Sequence, residues 1–368
     1  MTEEKVDAPL KTTALHASHG AAGARLVPFA GWEMPLHYGS QVEEHHQVRR
    51  GAGMFDVSHM TVIDLRGAAA EPFLARVLAN DVGRIPEVGQ AQYGAMLNEA
   101  GGVIDDLIAY RRSVGFRLVT NAGTRDRVVP WLESIAAEAP FRGSLELEER
   151  PDLAMIAVQG PRALAALREV LKEDVAERAA SFRFYEVGER MVARTGYTGE
   201  DGAELILPAA DAGELWQRLR AADVAPIGLA ARDTLRLEAG LNLYGIDMDE
   251  RVSPWAANLG WTLALNTPDR DFIGRSAVVA AKTGELLRQK GLVMQAKGVL
   301  RGGYRVTTDA GDGVITSGLF SPTLGYSIAF ARLPKDAGGT VRVDIRGKAR
   351  EAQIVKAPFV RAGVAAWR

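Results

Sequence analysis

The chain has 368 residues, 47% of them hydrophobic and 24% charged, with a formal net charge of -2. That length exceeds one ordinary core and predicts two or three domains. The near-neutral charge, without a basic stripe interleaved with aromatics, argues against a nucleic-acid binder, and the lack of any cysteine excludes disulfides, iron–sulfur clusters and thiolate chemistry.

No apolar run is long enough to cross a bilayer. The acidic start Met1-Thr2-Glu3-Glu4-Lys5-Val6-Asp7 lacks the apolar stretch of a signal peptide, so the expected setting is the cytoplasm. Residues up to 22 read as a loose arm and a short helix. Residues 26–39 are dense in Gly, Pro and aromatics and read as an ordered loop. Ser40 and Glu43 form a capping box for a helix ending near Arg50, with Gly51 as its stop. All six histidines precede residue 60. His45 and His46 are adjacent on that helix and point about 100° apart, and no HExxH pattern occurs, so no metal site is expected. Surface or loop-packing histidines are expected instead.

Residues 60–66 alternate as a strand, and 70–79 form an amphipathic helix. A three-stranded meander follows. Residues 92–97 lead in, a strand bearing Asp105 and Asp106 sits in the middle, and 116–121 lead out. Turns centred near Glu99–Ala100 and Ser113–Val114 set Asp106 across from Gly94 and Asn121. Tyr93 then lies one residue from the facing position. Within a one-residue register slip, Tyr93, Asp106 and Asn121 form a polar row. Successive strand side chains point to opposite faces, so only one of the two aspartates is expected to face a site. An unpaired buried carboxylate is costly, and the plain alternative is a solvated strand end.

Residues 125–137 read as a helix and 154–158 as a strand, with Pro161 as the first residue of the next helix. Strands at 190–194 and 203–207 flank a Gly-rich loop. Asp211 and Glu214 cap a helix carrying Leu215, Trp216 and Leu219. This order suggests a split-βαβ, ferredoxin-like unit over about 150–225. A leucine-faced helix spans 229–240 and a short strand 261–264, and Phe272-Ile273-Gly274-Arg275 opens a helix that runs to about Lys282. From 291 onward the period is two, giving a small all-β domain, with the boundary in the charged segment 283–290.

Nucleophile elbows and phosphate loops are absent. In the loop 196–202, Glu200 and Asp201 would repel a phosphate. A carboxylate there suits two parallel N–H donors; a plain hairpin turn is the alternative. Arg232 and Arg236 share a helix face, either as a surface charge lattice or facing an anionic ligand.

Six runs occur together and in order: Gly31-Trp32-Glu33-Met34-Pro35, Met54-Phe55-Asp56-Val57-Ser58-His59-Met60, Gly101-Gly102-Val103-Ile104-Asp105-Asp106-Leu107, Gly196-Tyr197-Thr198-Gly199-Glu200, Ala231-Arg232-Asp233-Thr234-Leu235-Arg236-Leu237-Glu238-Ala239-Gly240 and Ser321-Pro322-Thr323-Leu324-Gly325. As a set they resemble the aminomethyltransferases, the T-proteins of the glycine cleavage system. The resemblance implies an α+β, three-domain cloverleaf around a central folate channel. Its folate-binding region spans 1–282 as two intertwined subdomains, and an all-β barrel or jelly roll spans 283–368. It implies tetrahydrofolate as cosubstrate, no metal, and the lipoylated H-protein as partner. Asp106 matches the catalytic aspartate. Glu200 and Arg232 match folate-binding positions, and Tyr93, Asn121 and Tyr197 line the pterin pocket. The family pattern can carry a tyrosine near the C-terminus, where this chain ends in Trp367-Arg368. The expected assembly is a monomer, or at most a weak dimer. Two rival readings share the fold. One is a folate-dependent demethylase of a small sulfonium or N-methyl substrate. The other is a non-enzymatic folate-binding assembly factor, whose signature cysteine is missing here.

Overall fold

The computed structural model describes residues 9–267, 269–284 and 286–367. The acidic start and position 285 of the expected linker lie outside the described residues.

Helix α1 (His16–Ala21) leads into a hairpin of β1 (Arg25–Phe29) and β2 (Trp32–His37). An ordered loop was expected here. The chain instead pairs Phe29 with Trp32 across Ala30 and Gly31, whose φ values are 50° and 80°. Two positive φ values are what a two-residue hairpin turn requires. Helix α2 (Gln41–Arg50) starts where the Ser40 hydroxyl accepts the Glu43 N–H at 3.3 Å.

Strand β3 (Gly53–Asp56) and strand β4 (Thr61–Arg66) enter different sheets. Helix α3 (Ala70–Val77) precedes the meander of β5 (Ala91–Leu97), β6 (Val103–Arg112) and β7 (Gly115–Thr120). Helix α4 (Arg125–Ala136) and strand β8 (Glu146–Glu149) complete a sheet ordered β5-β6-β7-β4-β8. Phe73 of α3 and Leu132 of α4 pack with Leu65, Leu107 and Leu118 over one face of it.

The chain then returns to the sheet of β3. Strand β9 (Leu153–Gln159), helices α5 (Ala163–Leu171) and α6 (Val175–Arg178), strands β10 (Phe184–Val187), β11 (Arg190–Ala193) and β12 (Gly202–Pro208), helix α7 (Ala209–Ala221) and strand β13 (Ala225–Pro226) follow in order. The sheet runs β10-β11-β12-β9-β3-β13, so β3 from upstream sits between β9 and β13. Two capping expectations fail. Helix α5 starts at Ala163 rather than Pro161, and α7 starts directly after Pro208, with neither Asp211 nor Glu214 as its cap. The two sheets face each other through Phe55, Val62, Tyr110, Val119, Met155 and Ile206.

Helix α8 (Leu229–Glu238) leads to a loop-rich stretch and then helix α9 (Arg275–Gly284). The strand expected at 261–264 is a single 3-10 turn, Gly260–Thr262. A four-residue apolar run does not discriminate the two. Strands β14 (Leu287–Met294), β15 (Arg305–Thr308), β16 (Gly311–Phe320), β17 (Ser327–Pro334), β18 (Thr340–Ile345) and β19 (Lys348–Val355) close a six-stranded antiparallel barrel. The order β14-β17-β16-β15-β18-β19 closes through β14 on β19, which removes both edges; it is a barrel and not a jelly roll.

The turn before β6 is clamped. Asn98 accepts the Gly102 N–H at 2.9 Å and donates to the Glu250 carbonyl at 2.9 Å. A Cβ on Gly102 would lie 1.8 Å from that carbonyl oxygen. Gly102→Ala is therefore expected to cost about 1–3 kcal/mol through forced overpacking. Urea unfolding checks this, and an unchanged midpoint would contradict it.

Candidate active site

The meander forms with one departure in register. Ala95 pairs with Asp106 and Met96 with Asp105, but Leu97 pairs with Val103, so Ile104 is an extra residue in β6. This bulge puts Ala95, not Gly94, opposite Asp106. Tyr93 then lies two residues from the facing position and shares the face of Asp106. Its hydroxyl donates to Asp106 Oδ2 at 2.8 Å. On the other side Ile108 pairs with Val119, a register that sets Asn121 across from Asp106. The Asn121 amide donates to Asp106 Oδ1 at 2.8 Å. The polar row Tyr93–Asp106–Asn121 is thus joined by direct hydrogen bonds.

Asp105 joins it too, against the expectation from strand alternation. Strand β7 ends at Thr120, and the chain turns through Ala122–Thr124 around the end of β6. Asn121 donates to Asp105 Oδ1 from its amide at 2.7 Å and to Oδ2 from its backbone at 3.1 Å. Thr124 Oγ1 lies 2.8 Å from the same Oδ2. Asp105 is fully buried, whereas Asp106 is partly open. Burial raises both carboxyls. The nearby Asp106 charge pushes Asp105 up further, while the Tyr93 and Asn121 hydrogen bonds hold Asp106 down in part. Trp261, not singled out from sequence, stacks on Tyr93 with ring centroids 5.7 Å apart and 20° between planes. It is 67% exposed, an aromatic wall at the opening of the row. The residue's place in a short apolar run hid it.

Tyr197 and Arg232 form a second group. The Arg232 guanidinium lies 4.5 Å from the centre of the Tyr197 ring. The Tyr197 hydroxyl donates to the Asn242 carbonyl. Among the described residues Arg232 has no ion pair, whereas Arg236 is buried and bonded to Asp247 at 2.8 Å and to Ser317 at 2.8 Å. The i, i+4 pair therefore divides: Arg236 is structural, and Arg232 is half-buried without an ion pair, its guanidinium pulled down by burial and supported by Tyr197 and the Glu204 charge. The two groups share one electrostatic field. Burial raises the Tyr197 phenol, Arg236 lowers it, and the Asp106 charge raises it again. His59 is pushed down to about 4 by burial and then by the Arg232 charge, so it is neutral at neutral pH.

Glu200 contacts neither group directly. Arg49 donates to its Oε1 at 2.8 Å, and its other oxygen accepts no hydrogen bond from a described residue. Arg49 also bonds Glu238 at 2.8 Å. His45 extends this cluster, reaching Thr234 at 2.7 Å and Thr323 at 2.9 Å. His19 bonds Asp56 at 2.8 Å. His19, His45 and His59 are all buried, so these three are not surface histidines; they pair carboxylates and hydroxyls or line the site's edge.

Residues 15–267 match the family described as GCVT N-terminal domain, and residues 288–361 match the glycine cleavage T-protein C-terminal barrel domain. The chain is 54% identical to the aminomethyltransferase of Alcanivorax borkumensis over 97% of this chain and 98% of that one. It is 54% identical to that of Nitrosococcus oceani over 96% and 95%. The crystal structure of glycine cleavage system aminomethyltransferase T from Bartonella henselae superposes with a TM-score of 0.89 at 34% identity, covering 96% of this chain and 99% of that one. The chain belongs to the glycine cleavage T-protein family. It is an aminomethyltransferase, and the demethylase and assembly-factor readings are set aside by this near-full-length likeness.

In this T-protein the Ser321-Pro322-Thr323 run has a visible task. Ser321 donates to Glu238 Oε1, and Thr323 donates to Oε2 at 2.8 Å. Burial alone would raise Glu238, but His45, Arg49 and Ser321 outweigh it and hold the carboxyl at about 2. A folded pKa below the unfolded value of 4.5 means this contribution is complete above pH 4.5 and is lost as pH falls toward about 2. Glu238→Gln is expected to lower stability at neutral pH and to flatten the loss of stability across that acid window. Urea unfolding across pH checks it; parallel acid limbs in the two proteins would contradict it.

Proposed function

We propose that this aminomethyltransferase takes the aminomethyl carbon from the dihydrolipoyl arm of the H-protein and passes it to tetrahydrofolate. Ammonia, 5,10-methylenetetrahydrofolate and the reduced arm are the products. The carrying observation is the Asp106 carboxylate, oriented by one donor on each oxygen and sharing its field with Tyr197 and Arg232. Tetrahydrofolate supplies the accepting ring nitrogen, N5.

The residues fit that substrate. Glu200 is oriented by Arg49 and keeps lone pairs open for the parallel N–H donors of a pterin. Arg232, with no ion pair among the described residues, suits the anionic glutamyl tail. Tyr93, Asn121 and Tyr197 flank the pterin between these anchors. Asp106 holds its negative charge where positive charge develops as the carbon leaves sulfur, in a site where burial strengthens that attraction. Holding both substrates in attack geometry supplies about 7–11 kcal/mol of the barrier reduction. The two sheets and the barrel are read as a cloverleaf around a shared folate channel. The sheet of β9, β11 and β12 is its ferredoxin-like unit; the boundary expected at 282/283 would cut the last turn of α9, so it is set between Gly284 at the end of α9 and Leu287 at the start of β14.

Asp106→Asn is expected to fold, to bind folate and to lose about 10²–10³ in turnover, the scale for removing one preorganised charge-stabilising group. Folate-dependent ammonia release from aminomethylated H-protein measures it. Turnover near that of the wild type would remove Asp106 from the mechanism.

A further inference from the structure

The Thr124 hydroxyl has one hydrogen and two close oxygens. Its Oγ1 lies 2.8 Å from Asp105 Oδ2 and 2.8 Å from the Asn121 carbonyl oxygen. Two oxygens at that separation repel unless a hydrogen lies between them. Thr124 can supply only one of the two hydrogens. The carboxyl of Asp105 is the one remaining source, because a carbonyl has none.

The other contacts leave the same count. Asn121 has two amide hydrogens and three acceptors around them; the two nearer, Asp105 Oδ1 at 2.7 Å and Asp106 Oδ1 at 2.8 Å, take one each, and the Asp106 carbonyl at 3.1 Å shares one of them. Its backbone N–H goes to Asp105 Oδ2 at 3.1 Å. An Oδ2 that carries a hydrogen can accept this bond and donate to Thr124, which then donates to the Asn121 carbonyl. Every polar atom in that circuit is satisfied. With Asp105 ionised, one 2.8 Å contact of Thr124 would hold no hydrogen.

We propose that Asp105 keeps a proton at neutral pH and is a positioning residue, locking Asn121 so that Asp106 is the single anion of the pair. The groups that face the pair agree. Asp106, Tyr93 and Tyr244 lie around Asp105, with Asp249 and Glu250 beyond Tyr244, and Asp247 acts on Asp106. None of these is a cation; Arg232 and Arg236 act with Asp106 on Tyr197, and Arg236 is paired with Asp247, but among the described residues no Arg, Lys or His pairs with either carboxylate. Burial and the Asp106 charge both favour the neutral acid at Asp105. Two like charges on one shared amide are the arrangement that drives one carboxyl of a pair to stay protonated. The role given to Asp106 rests on the proposed reaction; the proton on Asp105 does not.

Infrared spectra of the full-length protein at neutral pH test the proton directly. The expected result is a carbonyl stretch of a protonated carboxylic acid that is lost in Asp105→Asn and kept in Asp106→Asn. Thr124→Val, which removes the acceptor of that proton, should shift the same band. A band that survives Asp105→Asn, vanishes only in Asp106→Asn or ignores Thr124→Val would overturn the proposal. If Asp105→Asn does not fold, the Asp106→Asn and Thr124→Val spectra still decide. A pH profile adds a readout that simple loss of structure would not move. Asp105→Asn replaces one neutral group by another, so the acid limb of kcat/KM should keep its position. A downward shift of about one unit or more, the effect of removing a neighbouring anion, would contradict a neutral Asp105. The spectra need no folate, so their failure leaves the reaction assigned to Asp106 standing, and weak loss of turnover in Asp106→Asn would leave the proton assignment standing.

Discussion

Helix α8 presents Arg232, Arg236 and Glu238, and each reaches a different part of the chain. Glu238 takes Arg49 and His45 from α2 and Ser321 and Thr323 from the loop after β16. Arg236 takes Asp247, and both bond Ser317 of β16. Arg232 lies over Tyr197 in the loop before β12. Removing one partner of such a buried pair leaves a charge without compensation, a loss of about 3–5 kcal/mol. The helix therefore fixes the barrel, the second sheet and the arginine of the site relative to one another. The apolar side of the contact is Leu237 against Ile328, Phe330 and Phe359.

The aspartate pair is placed by a different device. A bulge in β6 and an early end to β7 bring groups to one spot that regular strand geometry would separate. The bulge rotates Asp106 onto the face of Tyr93. The turn after Thr120 lets one asparagine reach both carboxylates. A similar irregularity recurs in β16, where the pairing with β17 shifts between Ile315 and Gly318, beside the Ser317 that meets Arg236 and Asp247. Both polar clusters stand where a ladder breaks, since only there can a strand aim a side chain out of its alternation.

Periodicity and turn chemistry made the meander, helix α8 and the barrel legible, because each has long patterned runs bounded by Gly. The polar row was legible as well, though its register was not: Ile104 is an ordinary strand residue and nothing local marks it as the extra one. The hairpin at β1 and β2 was missed because Pro28 and Pro35 obscure a strand pattern. The roles of Arg49 and His45 were missed because their partners lie far along the chain; for His45 and Thr323 the separation is 278 residues. Trp261 went unnoticed because stacking on Tyr93 is a tertiary fact. Resemblance of the six sequence runs supplied the substrates; the residues by themselves left Glu200 between a ligand site and a plain hairpin turn, and Arg232 between a ligand site and a surface charge lattice.

The account turns on a reduced pterin lying between the Asp106 carboxylate and the groups Glu200 and Arg232. A crystal structure with a stable reduced folate bound is the most direct test. It should show the ring nitrogen N5 beside Asp106, the pterin donors on Glu200 and the glutamyl tail toward Arg232. A folate bound elsewhere, or with its ring out of reach of Asp106, would contradict the account.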